Sequence, residues 1–252
     1  MSELEFQGRT ALVTGGAKGI GRACCQRLAS AGAKVAVNYQ FSENAAREVV
    51  KQIEAGGGQA IACRADVSSP EDVSALVGQV QEELGPVDLL VNNAGVFDFL
   101  AHDQTSLDVW QRTLDVNLTA CYLTSWAVKE GMIQRGFGRI VNISSIAALA
   151  ARPMSIAYAV SKAGVVALTK SLATAIAEHN VRVNAVAPGL IDTEIIADVE
   201  SNVLDALIES TPMKRIGQAT EIAEMVLFLL SERSSFMTGQ TLVASGGRVT
   251  LP

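Results

Sequence analysis

Histidine is scarce in this chain and cysteine is never paired. Its 252 residues include two histidines and four cysteines, Cys24, Cys25, Cys63 and Cys121, and no C-x-x-C spacing. A zinc site or a disulfide framework is therefore not expected; such cysteines read as small core residues of a reducing compartment. No basic head followed by an apolar run opens the sequence, so its start does not read as a signal peptide. Apolar stretches such as Met225 to Leu230 are too short to cross a bilayer. Basic excess is also lacking: the net charge is −6 and the pI about 5.0. That disfavours a broad electrostatic grip on nucleic acid or anionic lipid. A cytoplasmic location is the expectation. Hydrophobic residues, at 49%, and charged residues, at 18%, exclude a disordered chain.

Seven short runs are apolar on both faces: Ala11–Val13, Val35–Val37, Ala60–Cys63, Leu89–Val91, Ile140–Ile143, Val181–Ala187 and Thr241–Val243. Runs of this kind suit strands of a parallel sheet covered on both sides. Helical periodicity lies between them, over Ile20–Ala31, Glu43–Ala55, Ser69–Leu84, Leu107–Gln134, Ser155–Glu178 and Thr220–Leu230. Ser69 is placed to cap its helix, with Pro70 in the first turn. The alternation predicts an α/β fold: one domain over residues 1–252, a doubly wound seven-stranded parallel sheet with right-handed crossovers. No repeat or linker breaks it. The least regular stretch, about 190–217, carries Ile191, Ile195, Ile196, Val199, Val203, Leu204 and Leu207. An apolar helical insert at the carboxyl end of a strand suits a substrate lid, with a packing or subunit-contact segment the alternative.

The first strand runs into Thr14-Gly15-Gly16-Ala17-Lys18-Gly19-Ile20-Gly21, and a helix follows at once. Glycines let backbone turn sharply and approach a pyrophosphate, and a helix start offers it free N–H groups. The spacing is G-x-x-x-G-x-G, and alone it is a weak signal.

The motif TGGAKGIG resembles the glycine turn of the short-chain dehydrogenase/reductase family, and the resemblance runs through essentially the whole chain. Asp66-Val67 resembles the family's adenine contact, and Asn92-Asn93-Ala94-Gly95 its NNAG motif. Asn117, Ser145, Tyr158 and Lys162 fall in its catalytic order. Pro188-Gly189 followed by Ile191-Asp192-Thr193 resembles its nicotinamide-facing loop. The resemblance thus implies that Gly15, Lys18, Gly19, Ile20, Gly21, Asp66, Val67, Asn93, Ala94, Gly95, Tyr158, Lys162, Pro188, Gly189, Ile191 and Thr193 contact the cofactor. Asn38 and Tyr39 join that set because they stand where an acidic residue normally binds the ribose 2′-hydroxyl and selects NAD. With no carboxylate there to repel a 2′-phosphate, and with Lys18 able to attract one, NADP(H) is the expected cofactor and NAD(H) the alternative. No metal is expected.

Ketone reduction needs a hydride on carbon and a proton on oxygen. Tyr158 and Lys162 are four residues apart in a helical pattern, so both side chains share a face. A nearby ammonium favours a phenolate, making Tyr158 the candidate proton donor. Ser145, at the end of the fifth strand, can hold the substrate oxygen and stabilise its developing charge; Ser144 competes with it, and the resemblance favours Ser145. The family further implies that Lys162 binds the nicotinamide ribose and that Asn117 anchors a water relaying protons through it. A serine hydrolase would need a triad, yet only His102 and His179 are available and no G-x-S-x-G elbow occurs. A methyltransferase would not need the serine, tyrosine and lysine together. A catalytically silent dinucleotide-binding regulator is the non-enzyme alternative.

Within the family the chain is most similar to 3-oxoacyl-(acyl-carrier-protein) reductases, with sugar and other secondary-alcohol dehydrogenases the alternative. The candidate pocket, Phe97–Leu100, Ile146–Ala151, Met154 and the insert, is mostly apolar, which suits an acyl-like carbonyl better than a sugar. An acidic carrier protein would need basic residues beside the site. The family tends to place arginines where this chain has Gly136 and His179, and Arg135, Arg139 and Arg182 are expected to substitute. Ser245 stands before Gly246-Gly247 where the family usually has aspartate, a change expected to affect local packing. The resemblance also implies a homotetramer built on the two long helices.

Overall fold

The computed structural model describes residues 4–194 and 201–250. Seven parallel strands form the main sheet: β1 (Thr10–Val13), β2 (Lys34–Tyr39), β3 (Gln59–Arg64), β4 (Val87–Asn92), β5 (Gly138–Ile143), β6 (Val181–Pro188) and β9 (Thr241–Ala244). Their order is β3-β2-β1-β4-β5-β6-β9. The order reverses between β1 and β4, and an open sheet of this kind leaves a crevice beyond the carboxyl ends of the strands at that point. β4, β5 and β6 are buried at every position, so that Asp88, Asn92, Arg139, Asn142, Arg182 and Asn184 are buried along with their apolar neighbours. Each fully buried valine, leucine or isoleucine contributes about 1.5–3 kcal/mol.

Two apolar layers flank the sheet. One packs α1 (Gly19–Ser30), α2 (Glu43–Ala55) and α8 (Ala219–Leu230) on it; the other packs α3 (Pro70–Glu83), α5 (Ala120–Arg135) and α6 (Ile156–Ile176). The Ser69 hydroxyl accepts the Asp72 N–H at 3.2 Å, and Pro70 occupies the first helical turn, as expected. All four cysteines are free and buried, and burial pushes the Cys24 and Cys63 thiols up to about 12 and that of Cys121 up to about 11. Among the described residues no cluster of histidine, cysteine or acidic side chains could hold a metal.

Three sequence expectations need correction. Leu107–Gln134 is not one regular helix: α4 (Leu107–Leu114) passes through a π-helical turn, Asp115–Thr119, into α5. The insert is not simply helical. β7 (Ile191–Asp192) and β8 (Gly217–Gln218) pair in parallel at its base, and α7 (Ser201–Glu209) lies between them; Ile195, Ile196 and Val199 lie outside the described residues. Finally, Ile156–His179, with mean hydropathy 1.2, does reach the length and composition of a bilayer span. In this fold its apolarity has a local cause, since α6 packs against β6 and buries Val165, Leu172 and Ala173.

Candidate active site

The glycine turn is held from below by side chains of three strands. Thr14, at the end of β1, accepts the N–H groups of Asn93 and Ala94 on its hydroxyl at 2.9 and 3.1 Å. Asn93 in return donates to the Thr14 and Gly15 carbonyls, both at 3.0 Å. Asn38, at the end of β2, accepts the Gly15 N–H at 3.2 Å. Gly15 and Gly19 have φ of 60° and 50°, in the left-handed region that favours glycine. α1 starts at Gly19 with no side-chain cap and no acidic residue in its first turn. Its first N–H groups and dipole end are therefore left for an anion. Lys18 precedes them, exposed.

Further along the carboxyl edge, Asp66 and Val67 follow β3. The Asp66 carboxylate accepts from the Gln40 amide at 2.7 Å and from the Ser68 N–H at 2.9 Å. Tyr39 and Val67 are buried beside it, at 8% and 6% exposure. This cluster lies at the outer end of the crevice, where the resemblance puts an adenine.

The inner end is a cleft of about 130 Å³, open to solvent. Ile20 enters it from the glycine turn, Asn93 and Gly95 from the loop after β4, and Ser145 from the end of β5. Tyr158 and Lys162 enter from α6, Pro188 from the end of β6, and Gly189, Ile191 and Thr193 from the segment that follows it. Residues far apart in sequence thus meet around one opening. Gly19 closes its edge, because a Cβ there would lie 3.0 Å from Thr193 Cγ2. Neither His102 nor His179 borders the cleft.

Lys162 is only 4% exposed, and its ammonium lies 5.7 Å from the Tyr158 ring centroid. It donates to the Ile143 carbonyl at 2.9 Å. Phe97 meets the Tyr158 ring edge-on at 5.0 Å, fixing the phenol's tilt. Asn117 sits in the π-helical turn, fully buried, and does not border the opening. Its amide binds both the N–H and the carbonyl of Val96, at 2.7 and 2.9 Å, and donates to Ser161 at 3.1 Å. It backs the lysine across Gly95, where a Cβ would lie 3.2 Å from Asn117 Oδ1 and 3.5 Å from Lys162 Nζ. Of the two serines, Ser144 is committed elsewhere, donating to the Lys162 carbonyl at 2.9 Å. Ser145 accepts the Ala147 N–H at 3.1 Å, which leaves its proton free for a substrate oxygen.

The family profile described as Enoyl-(Acyl carrier protein) reductase matches residues 15–248. The chain belongs to the short-chain dehydrogenase/reductase family. A 3-oxoacyl-(acyl-carrier-protein) reductase of Synechocystis sp. is 38% identical over 242 residues, 96% of this chain and 97% of that protein. Glucose 1-dehydrogenase 2 of Bacillus subtilis is 36% identical over 252 residues, 98% and 97%. The solved 3-oxoacyl-(acyl-carrier protein) reductase of Brucella melitensis superposes with a TM-score of 0.92 at 34% identity, over 98% of this chain and 95% of that one. Short-chain dehydrogenase/reductases act on CH–OH and ketone groups with a nicotinamide dinucleotide, and this chain is an oxidoreductase of that kind.

The glycine cradle fits such a cofactor. A Cβ on Gly21 would lie 2.5 Å from Asn93 Nδ2 and closer still to the Gly15 carbonyl, so only glycine preserves the bare backbone there. A second cavity, of about 250 Å³, lies behind the insert. It shares Leu190 and Ile191 with the cleft but contains none of Ser145, Tyr158 and Lys162, and its Arg215 and Glu221 bind each other at 2.7 and 2.8 Å. The candidate catalytic residues Ser145, Tyr158 and Lys162 therefore line the smaller cleft and not this one.

The arginines expected to read a carrier protein do not serve it. Arg139 and Arg182, cross-strand neighbours at the amino ends of β5 and β6, are 2% and 6% exposed. Both bind Glu232, at 2.8 and 3.0 Å, and Arg139 also holds the Asn180 carbonyl. Arg135 donates to the Val87 carbonyl at 2.7 Å. All three hold the end of the sheet opposite the cleft. Ser245 exchanges bonds with the N–H and carbonyl of Val249 at 3.1 and 3.2 Å, a local packing role.

Proposed function

We propose that the protein reduces a ketone bearing an apolar or acyl-like group, a 3-oxoacyl thioester or similar, to a secondary alcohol or runs the reverse, with NADP(H) preferred. The observation that carries this reading is the meeting of Ser145, Tyr158 and Lys162 around one opening that the glycine turn also borders. Hydride exchange is the chemistry a bound nicotinamide dinucleotide supplies there. Ser145 Oγ donates to the carbonyl oxygen and holds the charge that develops on it. Tyr158 Oη delivers its proton to that same oxygen. Lys162 Nζ lies beside the phenol, 5.7 Å from its ring centroid, and Asn117 supports the lysine from behind, on the side from which a water relay would resupply the proton. Val96, Ile143, Leu190 and Ile191 give the cleft apolar walls, which suits an acyl-like group.

The adenine end supports the cofactor preference. Tyr39 puts no carboxylate at the end of β2, and exposed Lys18 can approach a 2′-phosphate. The same reading includes a homotetramer in the cytoplasm. Tyr122 and Trp126, 42% and 40% exposed, stack on the outer side of α5, and Val160 of α6 is 43% exposed; a second copy could cover them. The test is a panel of 3-oxoacyl-CoA and carrier-protein thioesters, aryl ketones and sugars, followed by nicotinamide absorbance with NADPH or NADH, or with the oxidised cofactors for sugars. Turnover of 3-oxoacyl thioesters or aryl ketones with NADPH is expected. Turnover of glucose with none of those substrates would overturn the assignment. Lys18→Ala is expected to raise KM for NADPH about two- to tenfold and leave that for NADH unchanged; an equal change in both would remove the lysine's role.

A further inference from the structure

Asn38 occupies the end of β2, beside the place where dinucleotide-binding folds of this topology read the ribose. Its side chain is 2% exposed and fully engaged. Oδ1 accepts the Gly15 N–H at 3.2 Å, and Nδ2 donates to the carbonyls of Cys63 and Ala65 at 3.3 and 3.2 Å. The residue's own carbonyl accepts the Gly16 N–H at 2.8 Å. Both donor hydrogens are spent on backbone, so none remains for a hydroxyl or a phosphate. The partners are not arbitrary. Gly15 and Gly16 open the glycine turn, and Ala65 immediately precedes Asp66-Val67 at the adenine end.

We propose that Asn38 is a positioning residue: it joins the pyrophosphate turn to the adenine segment, sets their spacing, and does not read the ribose. The proposal rests on the reading that a nicotinamide dinucleotide lies across this edge. A buried amide making three side-chain bonds is specific in a way an apolar filler is not, because it serves one backbone N–H and two carbonyls with directional bonds. With the first two turn amides committed to Asn38, the free N–H groups at the start of α1 are those left for the phosphates.

Asn38→Asp separates this role from the conventional one. Were position 38 facing the ribose, a carboxylate there would bind the 2′-hydroxyl, favouring NADH and repelling NADPH. As a clamp, aspartate still accepts from Gly15 but sets its other oxygen against two carbonyl oxygens, at a position only 2% exposed. Affinity for both dinucleotides then falls together. The expected result is a rise of about tenfold in KM and in the fluorescence-titrated Kd for NADPH and NADH alike, with their ratio held and kcat at saturating cofactor largely retained. Asn38→Ser, which keeps one acceptor without the repulsion, is expected to show a smaller rise of the same kind and serves if the aspartate variant does not fold. A swing of the ratio toward NADH in Asn38→Asp would overturn the proposal. So would a loss confined to kcat and thermal midpoint with both KM values unchanged in Asn38→Ser, which is what mere packing predicts. Failure of the unaltered protein to bind either dinucleotide would instead overturn the dinucleotide reading, and the proposal with it.

Discussion

Tyr158→Phe is expected to lower turnover by about 10²–10⁴, the usual worth of a positioned acid–base group, while cofactor still binds. The structure makes the substitution clean. The ring remains, so its edge-on contact with Phe97 at 5.0 Å remains too. No hydrogen bond of the phenol hydroxyl supports the fold among the described residues; the bond Tyr158 makes to Ser161 is through its backbone carbonyl. The thermal midpoint should therefore stay close to that of the unaltered protein, and NADPH should titrate normally. Near-normal turnover in a variant that binds NADPH would mean that the proton comes from elsewhere, and the roles of Ser145 and Lys162 would need redrawing.

Gly21→Ala is expected to act on binding instead. The added methyl would fall 2.5 Å from Asn93 Nδ2 and against the Gly15 carbonyl. Both neighbours belong to the lattice of bonds between the turn and the NNAG loop, so neither can yield alone. Displacing a turn of this kind costs about 1–3 kcal/mol, which corresponds to about a five- to 150-fold loss of cofactor affinity. NADPH titration reads it directly. An unchanged Kd would show that the turn does not carry the pyrophosphate.

The seven strands were legible in the sequence because a sheet covered on both faces leaves no polar alternation to confuse the reading. Tyr158, Lys162, Ser145 and the glycines were legible for a different reason: their spacing expresses a chemical demand. Less visible were interactions whose partners lie far apart in sequence. Arg139 and Arg182, expected beside the site to read a carrier protein, are held instead by Glu232, 93 and 50 residues away. β7 and β8 have two residues each, too few to show a period. Ser161 escaped notice although it lies three residues beyond Tyr158 on the same helix; its value comes from Asn117, 44 residues away. In each case, proximity is created by the fold and leaves no local mark.

The turn at Asp115–Thr119 accommodates one residue more than a regular helix would, and the Ala120 N–H reaches back five positions to the Asp115 carbonyl. That surplus lets two demands be met in sequence: Asn117 faces Val96 and Ser161, while Cys121, Thr124, Val128 and Met132 still face the core. Removing any single residue from it would let the helix relax to ordinary winding and rotate everything beyond by about 100°. Either the asparagine or the buried stripe of α5 would then point the wrong way. This segment should therefore accept substitutions far more readily than a deletion, and its length, rather than its lettering, is what the fold has to preserve.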